Sequence, residues 1–152
     1  MDDLLTDHTV RHLMSDDRGN DLDASSLIYT QAFPYEYVPD TVETAKTFIC
    51  CEVDVTDVDN KTFLRPTIYV WVFTHKSKVR LKEGGLRIDK LTSRIAKLLN
   101  KSRMYGLGEL ALSSAKRFSP ITNYQGRVLI FKARDFNSTS PTGMPIPSRR
   151  RG

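Results

Sequence analysis

The sequence predicts an α+β fold: a mostly antiparallel sheet of about four to five strands, one main helix packed on it, and a short N-terminal helix. Three observations carry this. Residues 46–58 alternate Ile49, Cys51, Val53 and Val55 with Cys50, Glu52, Asp54 and Thr56, the period of a half-buried strand. Residues 86–100 bring Ile88, Leu91, Ile95, Leu98 and Leu99 to one side of a helical wheel. Strand pairs lie before and after that helix, an order that short connections convert into antiparallel neighbours.

The elements follow in order. Residues 2–15 read as one short helix, with Asp2 and Asp3 at its positive end and Leu4, Leu5, Leu13 and Met14 along an apolar edge. Residues 15–26 (SDDRGNDLDASS) are polar and contain glycine, so they predict a loop. Residues 27–37 are apolar and aromatic, but Pro34 and Pro39 bar a central strand and leave an extended arm or edge strand. After the first strand, residues 57–60 (DVDN) supply turn chemistry. The second strand, residues 64–75, has two apolar faces, Ile68/Val70/Val72 and Tyr69/Trp71/Phe73. Such a strand is either covered on both sides within the chain or covered on one side by a partner subunit. Gly84 and Gly85 break the chain before the main helix, whose outer face carries Lys90, Arg94, Lys97 and Lys101. Two further strands, residues 110–118 and 127–136, flank a turn at residues 120–125. The domain is expected to span residues 1–137, with residues 1–45 forming the N-terminal helix and arm. Residues 138–152 have three prolines and no hydrophobic period, the pattern of a segment that is flexible until bound.

Composition narrows the function. The chain has 152 residues, 39% hydrophobic and 27% charged, which excludes a collagen-like or wholly disordered chain. Its longest apolar stretch, residues 68–73, is of strand length, and the N-terminus has neither the basic start nor the apolar core of a signal peptide. The net charge of +5 hides a division: residues 1–60 hold 14 acids and three bases, and residues 61–152 hold four acids and 20 bases. An acidic half followed by a basic half allows a solvated basic face, a phosphate-binding surface, or complementary charges meeting between copies around a ring.

Candidate chemistry is thin. His8 and His12 have i, i+4 spacing, but Thr9 stands where a zinc-protease helix has Glu, and no further cluster completes a metal site. His75 is alone at a strand end. Cys50 and Cys51 are neighbours whose side chains point to opposite faces of a strand, which suits buried, reduced thiols and synthesis in a reducing cytoplasm. Glu52 and Asp54 share a strand face, which reads as a solvated or subunit-facing acidic surface. Gly106-Leu107-Gly108 lacks the Lys-Ser/Thr of a phosphate loop. The expectation is a protein without an active site, metal or cofactor.

Within residues 33–137, the runs FPYEYVPDTVETAKTFICCEVDV, TIYVWVFTHKSKVR, GGLRIDKLTSRIAKLLN, YGLGELALSSAKRFSP and NYQGRVLIFKARDFN resemble neck and tail-completion proteins of long-tailed bacteriophages, tail terminators most of all. The resemblance implies a structural virion protein of the tail or neck that forms a ring, usually a hexamer. That ring caps the tail tube, ends its polymerisation and joins the tail to the head connector. Its partners would be its own copies, the major tail-tube protein and a head-side connector protein; DNA would pass through without specific binding, and no membrane is involved. Combined with the charge pattern, the interface residues expected are Tyr69, Trp71 and Phe73, acidic Glu52 and Asp54, basic Lys90, Arg94 and Lys97, and the C-terminal Arg149, Arg150 and Arg151. Two alternatives stay open: a head-completion or connector-adaptor protein, and a small basic nucleic-acid-binding protein.

Overall fold

The computed structural model describes residues 1–15, 22–39, 45–59, 63–103 and 108–133. Its elements are α1 (Asp2–Thr6), α2 (His8–Met14), α3 (Ala24–Leu27), β1 (Ala32–Phe33), β2 (Thr47–Asp59), β3 (Phe63–His75), a 3-10 turn (Lys76–Lys78), α4 (Arg87–Leu99), β4 (Leu110–Phe118) and β5 (Tyr124–Ala133). The strands form one sheet in the order β1-β2-β3-β5-β4. The class is α+β with a main helix, as the sequence predicts, but three short helices precede it where one was expected, and α3 begins inside the loop expected at residues 15–26. The sheet is mixed: β1 pairs parallel with β2, whereas β2–β3, β3–β5 and β5–β4 pair antiparallel.

β3 is the central strand, lying between β2 and β5. Ile68, Val70 and Val72 turn to one side, where they pack with Leu129 and Phe131 of β5 and with Leu91, Ile95 and Leu99 of α4. Leu5, Val10, Leu13 and Met14 of the N-terminal helices extend the same core. All helices thus lie on one side of the sheet. On the other side a smaller aromatic core gathers Phe33, Phe48, Phe73 and Tyr124 at one end only.

Several boundaries differ from expectation, each for a local reason. The expected single helix at residues 2–15 is two, because Asp7 takes an extended conformation and accepts from the Val10 N–H at 3.0 Å, capping α2. Of the arm at residues 27–37, Ala32 and Phe33 join the sheet, at its edge, with the Ile49 N–H donating to the Gln31 carbonyl at 2.8 Å. Residues 57–59, expected in a turn, continue β2, which absorbs an irregularity between Val55 and Asp57. β5 begins at Tyr124, inside the expected turn, because Gly126 pairs with Phe73 where β3 and β5 run close together. A Cβ on Gly126 would stand 1.9 Å from the Val72 carbonyl oxygen. The expected C-terminal arm, 138–152, lies outside the described residues.

Candidate functional site

Alternation along the strands decides which side chains reach the helix-free face. Glu52 of β2 stands opposite Tyr69 of β3, which stands opposite Ile130 of β5 and, beyond it, Ser114 of β4. One row along, Cys50, Trp71, Val128 and Lys116 are aligned in the same way, and on the other side Asp54, Thr67, Lys132 and Ala111 are. The centre of this face is therefore Tyr69, Trp71, Val128 and Ile130, all half-buried. The Tyr69 and Trp71 rings stack with centroids 5.6 Å apart. Exposed Glu52 and Asp54 line the β2 side, and exposed Lys116 and Lys132 line the opposite side.

Next to this open area the same face is sealed. Phe33 stacks on Tyr37 at 4.0 Å, and both lie over Phe48, which in turn stacks on Phe73 at 5.2 Å. Tyr124 meets Phe73 edge-on at 5.9 Å. The arm after β1 thus covers the Phe73 end of the face and leaves the Tyr69 end bare among the described residues.

This geometry sorts the residues expected at an interface. Tyr69, Trp71, Glu52 and Asp54 share one accessible face. Phe73 lies on the same side of β3 but at the end that the Phe33–Tyr37 arm covers, and it is fully buried in the aromatic core of its own chain. The basic row on α4 lies on the far side of the molecule and is partly neutralised within the chain. Arg94 donates to Asp7 at 2.6 Å, and Lys90 pairs with Glu83 at 3.1 Å. The Arg94 guanidinium holds the Asp7 carboxyl below its ordinary range, and Asp7 in turn raises Arg94. Lys97 is exposed beside them. These residues border an open groove between α2 and α4 of about 780 Å³, where Glu83 and Asp89 stand among the bases. Arg149, Arg150 and Arg151 lie outside the described residues.

Arg87 departs furthest from the sequence reading. It belongs to the basic half of the chain, residues 61–152, yet it is buried, and its guanidinium donates to the carbonyls of Lys78, Leu13 and Ser15 at 2.9, 2.6 and 3.2 Å. It ties the C-terminal end of α2 to the start of α4. Its phase was the available signal: Arg87 precedes Leu91, Ile95 and Leu99 at four-residue steps, on the buried side of the helix.

The nucleophile and metal candidates are placed as follows. Cys50 is buried in the aromatic core and Cys51 packs against the core on the other face. Burial pushes the Cys50 thiol up to about 12 and that of Cys51 up to about 11, so neither is an activated nucleophile. The His8 and His12 rings stack at 6.2 Å. His75 caps the 3-10 turn, its Nδ1 accepting from the Ser77 N–H at 3.3 Å. Among the described residues, no group of three or more His, Cys, Asp or Glu side chains converges to hold a metal ion. Among them, too, no helix is long and apolar enough to cross a membrane.

The YomW family model matches residues 4–133, from α1 through the last residue of β5. The chain belongs to the YomW family. YomW is a phage-derived family, in agreement with the resemblance to phage proteins. No curated protein matches the chain. The YomW match includes all four central residues of the open face and both charged margins.

Proposed function

We propose that this chain is a structural subunit of a phage virion, a tail terminator-like protein that forms a ring on the end of the tail tube, stops its growth and joins the tail to the head-side connector. The observation that carries this reading is the open sheet face. An aromatic and aliphatic centre, half-buried in the lone chain, lies between an acidic margin and a basic one. A monomeric enzyme or carrier has little use for such a face, whereas an assembly subunit acquires its missing layer from its partners. Opposite charges on opposite margins favour head-to-tail contacts between copies, which close into rings. The phage-derived family supplies the context.

In this reading Tyr69 and Trp71 pack against the tail-tube protein, and Glu52 and Asp54 belong to the contact between copies. Lys97, with Lys90 and Arg94 beside it, faces the head-side partner, and Arg149, Arg150 and Arg151 anchor the C-terminal arm on a neighbour. The pairing of Arg94 and Lys90 with acids of the same chain weakens the case for a phosphate-binding stripe. Phage lacking the protein should make tails of uncontrolled length that do not join heads, seen by negative-stain electron microscopy. Tails of normal length attached to heads in its absence would overturn the proposal.

A further inference from the structure

At both edges of the sheet, strand lies without an outer neighbour among the described residues. β1 covers β2 only at Ile49 and Cys50, so the described part of β2 from Cys51 onward has no outer neighbour among the described residues. At the opposite edge, β4 is nine residues long and pairs, among the described strands, only with β5. Its first residues are capped, the Leu110 and Leu112 N–H groups donating to the Ser102 carbonyl and the Asn100 side chain at 2.9 and 3.0 Å. Long bare edges are templates for pairing.

The two edges match. The Ile49 N–H points outward to Gln31, so alternation turns the backbone groups of Cys51, Val53 and Val55 outward as well. On β4 the Leu112 N–H points outward, and Leu112 and Ala115 both stand opposite odd-numbered residues of β5, Phe131 and Leu129. Ala115 therefore shares the outward direction of Leu112. The side chains agree too. Val53, Val55 and Leu112 are exposed at 57%, 45% and 37%, three of the large apolar residues that the chain leaves bare. All three lie on the helix side of the sheet, with Ala115, whereas Glu52, Asp54, Ser114 and Lys116 lie on the open side.

We propose that in the ring β4 of one copy pairs antiparallel with the bare part of β2 of the next, Ala115 opposite Val53, Lys116 opposite Glu52 and Ser114 opposite Asp54, so that the sheet runs on from copy to copy. This rests on the ring reading above. A cyclic operation with its axis along the strands makes the pairing antiparallel without further adjustment, because β2 and β4 run in opposite directions within one copy. The unslipped register would set Lys116 level with Cys50, which β1 already covers. A two-residue slip toward the bare part avoids this, and strand tilt takes up the slip as it does in any closed sheet. The slip joins Lys116 to Glu52 on one face and brings Ala115 and Leu112 to Val53 and Val55 on the other. It leaves the Tyr69–Trp71 face continuous around the ring, as one wall of it.

Asp54→Cys/Ser114→Cys places two thiols in a pair whose side chains are close, with the Glu52–Lys116 contact intact. Full-length double variant, oxidised mildly and run without reductant, should give a ladder of covalent multimers up to the ring's copy number; each single variant should not. Glu52→Lys and Lys116→Glu should each abolish the multimer mass in light scattering, and the double reversal should restore it. Multimers, in solution or on isolated tails, that give no ladder and ignore the charge reversals would overturn the strand pairing and leave the ring intact. A chain that is monomeric in solution and also single-copy on tails would overturn the ring and the pairing with it.

Discussion

At the scale of single residues, a few side chains hold the helices to the sheet. Arg87 is one, because three backbone carbonyls, two at the C-terminal end of α2 and one in the 3-10 turn, depend on its guanidinium. Arg87→Met should keep the volume but strand those carbonyls, and lower stability by about 3 kcal/mol in urea unfolding. Gly126→Ala meets backbone, its Cβ 2.6 Å from the Phe73 Cα, so it should force β3 and β5 apart and cost roughly 1–3 kcal/mol or more by the same measurement. Asp7 titrates below its ordinary value of 3.8 because of Arg94. Its charge therefore stabilises the fold fully above that pH, and the contribution disappears as pH falls through the lowered value. Asp7→Asn retains a capping side chain and should melt below wild type at neutral pH but match it at the acid limit. The high thiol values predict that Ellman's reagent at pH 8 labels Cys50 only after denaturation.

At the scale of elements, the informative division lies between the two faces of β3. The helix side is closed by α4 and the N-terminal helices, whereas the other is closed for half its length by the arm that follows β1. Phe33 anchors that arm on Tyr37 and Phe48. Phe33→Ala should cost about 3 kcal/mol, and it should raise binding of a hydrophobic dye by uncovering Phe48 and Phe73. The alternation in residues 46–58 and the helical period in 86–100 were legible because each is a local pattern written into a single element. The break at Asp7, the extension of β2 through residue 59 and the parallel pairing of β1 were not, because periodicity reveals neither a cap, as Asp7 forms on Val10, nor a pairing partner, as Asp59 has in Phe63 and Ala32 in Ile49.

At the scale of the whole molecule, the charge division between the two halves of the sequence acquires a spatial form. Part of it is neutralised within the chain, where Asp7 of the acidic half pairs with Arg94 of the basic half. What is left on the open face is an acidic margin on β2 and a basic margin on β4 and β5. Association through these margins should weaken with salt, so light scattering at low and high ionic strength should show a larger mass in the former. Tyr69→Ser should reduce binding to tail tubes without lowering the melting temperature appreciably, since Tyr69 is only half-buried in the free chain. Trp71, the sole tryptophan, reports the same event, its emission shifting to the blue as the face is covered.

The sequence by itself determined the α+β class, the two apolar faces of β3, the buried side of α4 and the opposite orientation of Cys50 and Cys51. All four follow from periodicity, which the chain carries locally. Only the tertiary structure decided that Phe73 is core while Tyr69 and Trp71 are surface, and that Arg87 is a buried clamp instead of a surface base. The physical reason is that periodicity assigns a side chain to a face but not to what covers that face. Cover comes from segments far away in sequence: the Phe33–Tyr37 arm over Phe73, the end of α2 over Arg87, and over Tyr69 and Trp71 nothing among the described residues.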